Sequence, residues 1–148
     1  MIAAGRNQVG LTAGEIERCI EAWEFLCGEQ KREIVTTEAS RHSSQTRFVE
    51  SDGRVYLGAN VRPGNGTDAN ARMSILACLA HELAHAQRLE MGFQRPFTLP
   101  HSLIDEAETS LHASFMSVLS AKDREDLIAD ARDRLTQWLV ETWQEVIR

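Results

Sequence analysis

Five consecutive residues near the middle of the chain, His81-Glu82-Leu83-Ala84-His85, have the types and spacing to hold a metal ion. On a helix, side chains four apart lie one above the other on the same face, about 6 Å apart along the axis. Both imidazoles can then reach one Zn²⁺, with the glutamate between them placed as a general base. A catalytic zinc takes a third protein ligand and keeps one position open for water, whereas a structural zinc is closed by four. The competing explanation is a pair of satisfied core histidines with Glu82 paired to an arginine. The flanking Met73, Ile75, Leu76, Leu79, Leu83, Ala86 and Leu89 make this a core helix that is apolar nearly all the way round. Buried charge is costly unless it is paired or coordinates a metal, so the metal explanation is preferred.

The third ligand is sought downstream, at His101 and in Asp105-Glu106-Ala107-Glu108. The metzincin pattern, which places a histidine six residues after the second motif histidine, is excluded because position 91 is Met. An apolar stripe of Leu103, Ala107, Leu111, Phe115 and Val118 on the following helix turns Glu108 closer to the core than Glu106. Glu108 and His112, four apart, then form a possible ligand and its support. Cys78, three residues before His81, shares the metal-bearing face. A buried cysteine is more often a small hydrophobe than a thiolate ligand.

The elements that must position these groups follow from pattern. Residues 1–10, with Gly5, Asn7 and Gly10, read as a loose arm. Thr12 with Glu15 is a capping box opening a packing helix (Ile16, Cys19, Ile20, Trp23, Phe25, Leu26, Cys27) that Gly28 stops. The period then changes to that of strands. Ile34–Thr37, Thr46–Glu50 and Arg54–Gly58 are expected strands, the last two joined at Ser51-Asp52-Gly53, where Asp-Gly is a hairpin signal. A small, mostly antiparallel sheet of three or four strands results. After a Pro/Gly loop at 62–66, Thr67 or Asp68 caps the metal helix, which ends near Met91-Gly92. A connector with Pro96 and Pro100 leads to a helix from about His101 to Leu119. Ser120 and Asp123 open a last amphipathic helix whose apolar face is Leu127, Ala131, Leu135, Trp138, Leu139 and Val146. Its Asp130, Arg132, Asp133 and Arg134 form a solvated charged face. The fold class is α+β in one domain: an N-terminal helix, a small sheet, the active-site helix and two C-terminal helices.

At 148 residues the chain is long enough to bury a real core. Its net charge of −6 and only two lysines, with no basic run, predict no nucleic-acid partner. Three cysteines without a CxxC predict reduced thiols, and the absence of a signal-peptide pattern or an uninterrupted apolar span predicts a cytoplasmic protein with no membrane partner.

A helical H-E-x-x-H, a connector and a second glutamate-bearing helix together resemble the gluzincin branch of zinc metallopeptidases. The short chain with a small sheet ahead of the metal helix resembles the minimal zincins of the ImmA/IrrE type. In that family the second helix reads roughly E-x-E-A-N-x-F-A, against Glu106-Ala107-Glu108-Thr109-Ser110-Leu111-His112-Ala113 here. Ala113 matches, while Ser110 and His112 stand in place of Asn and Phe. The resemblance covers about residues 46–115. It implies Zn²⁺ on His81, His85 and Glu106, with Glu108 and then His101 as alternates, and Ser110 one turn from Glu106 in support. His101 would make an all-histidine site similar to that of SprT-like proteases, but the Gly-x-x-Phe of that class does not follow it.

The activity implied is peptide-bond hydrolysis by zinc-activated water, with Glu82 as general base. Tyr56, His112 and His101 are candidate oxyanion donors. By analogy with zincins, substrate adds as an extended strand along an edge at Arg54–Val61. Partners implied are a protein or peptide substrate, typically one specific intracellular protein in bacterial stress or phage-related regulation. The alternative is a catalytically silent, metal-stabilised interaction domain, for which Trp138 and Trp143 on the last helix offer an oligomer surface.

Overall fold

The computed structural model describes residues 5–94 and 96–147. Five helices and a three-stranded sheet appear in the order α1 Ala13–Cys27, β1 Ile34–Val35, β2 Arg47–Val49, β3 Arg54–Tyr56, α2 Ala69–Arg72, α3 Ile75–Glu90, α4 His101–Ser114 and α5 Ala121–Val146. A single 3₁₀ turn, Ala59–Val61, links β3 to the loop before α2. The α+β class and the order helix, small sheet, motif-bearing helix, two C-terminal helices agree with expectation, with the short α2 added before α3.

Local signals were obeyed. Thr12 and Glu15 form a complete capping box on α1, and Gly28 ends it at a φ of 59°. Cys19, Trp23 and Leu26 face inward, and the Trp23 indole donates to the Arg32 carbonyl at 2.7 Å. Ser120 and Asp123 form a second capping box on α5. The β2–β3 hairpin turns at Gly53, whose φ is 71°.

The sheet is mixed rather than mostly antiparallel. Its order is β1-β3-β2, with β1 parallel to β3 and β2 antiparallel to it. A hairpin signal reports only contacts between strands adjacent in sequence. The long connection from Thr36 to Thr46 carries β2 to the far side of β3, and β1 is left to pair in parallel. Consequently β3 is the internal strand, the edge expected at Arg54–Val61 is not one, and β1 and β2 are the edge strands. No fourth strand occurs among the described residues.

Four further expectations are corrected. Residues 1–4 lie outside the described residues, but the segment from Gly5 to Leu11 is no loose arm. The buried Arg6 guanidinium donates to the carbonyls of Asn60, Val61, Asn70 and Met73 at 2.6–3.0 Å. Leu11 is buried and bonds the Ala39 carbonyl.

The metal helix does not start at Thr67 or Asp68. The chain makes the short α2 and breaks at Met73 (ψ 138°); Ser74 then caps α3 by accepting from the Ala77 amide. Arg6 donates to the Asn70 carbonyl, which also accepts from the Met73 amide, and to the Met73 carbonyl, at the joint where the chain breaks. Asp126 and Asp123 of α5 accept from the Ser74 amide (3.0 Å) and hydroxyl (2.6 Å).

Helix α4 stops at Ser114, and its buried stripe is Leu103, Ala107, Ser110, Ala113 and Ser114, while Leu111 and Phe115 are exposed. Small residues let α4 lie close against α3 and α5, and that close approach outranks burial of two large apolar side chains.

On α5 the buried positions are Asp123, Leu127, Asp130 and Ala131, whereas Leu135, Leu139 and Val146 are exposed. At 26 residues α5 outruns the 14-residue α4 that it packs along. Asp130 and Arg134, expected in solvent, are buried and nearly buried, at 1% and 13% side-chain exposure.

The core joins the inner faces of α1, α3 and the sheet: Trp23, Leu57, Met73, Leu79, Leu83 and Leu127 are among its fully covered side chains. Helix α3 runs through its middle, so the motif histidines stand on the most enclosed element. Among the described residues no helix is long and apolar enough to cross a membrane.

Candidate metal centre

His81 and His85 lie one turn apart on α3, where Ala77, Ala80, Ala84 and Ala86 keep the surrounding face narrow. Both imidazoles turn their Nε2 atoms to one carboxylate on α4. Glu106 Oε2 is 3.0 Å from His81 Nε2, and Oε1 is 3.0 Å from His85 Nε2. One ligand atom from each of the three residues lies within 4.8 Å of the other two. Among the described residues this is the one group of three or more His, Cys, Asp or Glu close enough to share a cation.

The choice of Glu106 follows from the phase of α4. With Ala107, Ser110 and Ala113 inward, Glu106 faces the histidines and Glu108 turns to the other flank. There Glu108 and Asp105 both pair with Arg88 of α3, at 2.9 and 3.2 Å. His112 meets Gln87 Oε1 at 3.0 Å, so Glu108 and His112 tie α4 to α3 and lie outside the group. His101 is the exposed first residue of α4 and lies outside the group. The stripe that favoured Glu108 was wrong in phase because it counted Leu111 and Phe115 as core.

Each histidine also has its Nδ1 next to an α4 hydroxyl. Ser110 Oγ is 2.8 Å from His81 Nδ1, and Thr109 Oγ1 makes a longer contact of 3.5 Å with His85 Nδ1. Thr109 donates to the Asp105 carbonyl, and Ser110 donates to Asp130 Oδ2 on α5 at 2.6 Å. His85 is further held by a parallel stack on Phe48 of β2, with centroids 6.4 Å apart.

The electrostatics favour positive charge at the centre. Burial would raise the Glu106 pKa, but hydrogen bonds and charge from His81 and His85 outweigh it and hold the carboxyl well below its ordinary value. Burial likewise opposes a charged His85, yet the Glu106 contact leaves its pKa raised. A carboxylate between two imidazole nitrogens is stable when protons or a metal ion lie between them. The two imidazoles and one carboxylate are a donor set that could hold a divalent metal ion.

Glu82 supplies a second test of fit. It is 1% exposed, yet its Oε1 has no hydrogen-bond partner among the described residues. It borders a cavity of about 530 Å³ shared with His85, Glu106, Phe48, Leu103 and Arg134. A buried carboxylate oxygen left unpaired, on a residue that borders the cavity beside the candidate cation site, fits a partner that would arrive with a metal.

Sequence reasoning missed Arg134 and Asp130. Arg134 borders the cavity, donates from Nε to Asp130 at 2.9 Å and holds Nη1 3.6 Å from Glu106 Oε2. Their i,i+4 spacing was a signal for an ion pair, but not for its burial. The proposed oxyanion donors do not reach the cavity. Tyr56 donates to Asp52 in the hairpin, and neither His101 nor His112 borders the cavity. Cys78 is fully buried outside the metal group, its thiol pushed up to about 12 by burial.

The chain matches no family model, no curated protein and no solved structure.

Proposed function

We propose that this chain is a zinc-dependent metallopeptidase in which His81, His85 and Glu106 hold the metal and Glu82 is the general base. The unpaired, buried Oε1 of Glu82 at the wall of the cavity carries the reading. A site that only stabilised the fold would have no use for an unsatisfied carboxylate, which costs about 1–3 kcal/mol or more when buried.

When bound, zinc lowers the pKa of its water toward neutrality and polarises the scissile carbonyl. Glu82 accepts the proton of the attacking water and delivers it to the leaving amine. Arg134, which borders the cavity with Nη1 3.6 Å from Glu106 Oε2, takes the place of Tyr56, His101 and His112 as the group that balances charge developing on the carbonyl oxygen. Phe48 holds His85 from the sheet side, and burial of α3 excludes bulk water from behind the ligands.

Strand β2 has one edge unpaired in the sheet, and its Arg47 and Phe48 border the same cavity. A peptide in extended form adds to that edge by backbone hydrogen bonds and lays its scissile bond across the cavity. The substrate class is therefore a protein segment that can be presented as a strand.

The test is Glu82→Gln beside wild type, both loaded with zinc and offered a diverse peptide library read by mass spectrometry. Cleavage by wild type only, with zinc retained in both, is the expected result. Zinc in both proteins and cleavage by neither, across the library and captured partners, would favour the silent interaction domain.

A further inference from the structure

We infer that Asp130 of α5 is a positioning residue for the metal centre, acting on His81 through the Ser110 hydroxyl and on Glu106 through the Arg134 guanidinium. This rests on the metal reading above.

The inference begins with proton count. A serine hydroxyl has one hydrogen, and an ionised carboxylate can only accept. The 2.6 Å contact with Asp130 Oδ2 uses the Ser110 hydrogen. What Ser110 presents to His81 Nδ1, 2.8 Å away, is therefore a lone pair, and the imidazole must donate. That places a hydrogen on Nδ1, so that Nε2, 3.0 Å from Glu106 Oε2, faces the carboxylate with either a second proton or the cation between them. A metal-bound imidazole needs this tautomer, and a carboxylate behind its other nitrogen also strengthens it as a donor.

On α4 the side chain at position 110 is too short and is uncharged. The negative charge arrives one hydrogen bond further back, from a different helix. Asp130 Oδ2 simultaneously accepts from Arg134 Nε at 2.9 Å, which leaves Arg134 Nη1 3.6 Å from Glu106 Oε2. The other oxygen accepts from Asn70 Nδ2 of α2 at 3.3 Å. One buried carboxylate thus orients two of the three ligands. The rival reading is that Asp130 merely fastens α2, α4 and α5 together.

The experiment compares wild type with Ser110→Ala, Asp130→Asn, Asp130→Ser and the swap Ser110→Asp/Asp130→Ser. Zinc dissociation constants are read by chelator competition. Hydrogen on His81 Nδ1 is read in the metal-free protein by long-range ¹⁵N–¹H NMR, with thermal unfolding as the control for folding. Ser110→Ala and Asp130→Asn should weaken zinc binding by about 10- to 100-fold. They should also leave His81 as a mixture of tautomers. The swap returns the carboxylate directly to His81 Nδ1 and should recover most of the affinity and the Nδ1–H form, while Asp130→Ser alone should not. Folded single variants with wild-type affinity and tautomer, or a swap no better than Asp130→Ser, would overturn the inference. A wild type that binds no zinc would remove the metal reading instead, and the His81 tautomer would still decide whether Asp130 acts through Ser110.

Discussion

His81 and His85 meet edge to face on α3, with ring centroids 4.7 Å apart and planes at 84°. Perpendicular rings one helical turn apart let both Nε2 atoms aim at a single point, where parallel stacking would aim them past each other. That point lies against the Glu106 carboxylate. Purified protein should accordingly carry about one zinc per chain, as expected of one three-residue site. Elemental analysis should find it lost in His81→Ala and Glu106→Ala but kept in Glu108→Ala and His101→Ala. Retention in Glu106→Ala would move the third ligand elsewhere.

The same contacts make stability depend on pH in the metal-free protein. Glu106 is held below its ordinary value of 4.5, so its contribution is present above that value and disappears as pH falls through the lower folded value. His85 is raised above 6.5, so its contribution is full below 6.5 and disappears as pH rises through the folded value. Both act together between those limits. Stripped protein should therefore lose thermal stability as pH rises above about 6.5. Zinc competes with the histidine proton, so the increment in Tm that zinc adds should grow over the same range. Melting curves of stripped and loaded protein from about pH 5 to 8 check both trends, and a stripped Tm that climbs with pH would contradict the assignment.

Arg6 lies outside the ligand group, yet it helps set where α3 begins. Its guanidinium serves four buried carbonyls at the joint between the 3₁₀ turn, α2 and α3. Arg6→Met keeps most of the aliphatic stem and leaves those acceptors unpaired. It should cost about 3 kcal/mol or more, seen as a lower urea midpoint. Arg6→Lys, with a single ammonium in place of a fork, should recover only part.

Cys78 separates packing from ligation. Its thiol is fully buried, and burial drives its pKa to about 12, so it should resist alkylation in the folded protein. Cys78→Ala should lower stability by about 1 kcal/mol while zinc stoichiometry stays at the wild-type value. Loss of zinc in that variant would place sulfur in the site.

What was legible in the sequence is what short-range geometry encodes. The 81/85 spacing on an apolar helix, the Thr12–Glu15 and Ser120–Asp123 caps and the turn at Gly53 all depend on residues a few positions apart. Helical and strand periods settle such relations before any packing occurs. Glu106 was reached as what a family resemblance implies, and Ser110 with it, while hydrophobic phasing pointed to Glu108.

Only the tertiary structure brings Glu106, and not Glu108, against the two histidines. Helix α4 buries Ser110, Ala113 and Ser114 and exposes Leu111 and Phe115, because close approach of three helices needs small residues at the contact. Apolar periodicity cannot register that preference. The same holds for Asp130 and Arg134, which read as solvated charges until Ser110, Asn70 and Glu106 are brought against them from other elements. The parallel strand and the four carbonyls gathered by Arg6 also join segments distant in sequence. A buried polar group is stable only with its partners in place, and the chain's own order does not say which distant residues those partners will be.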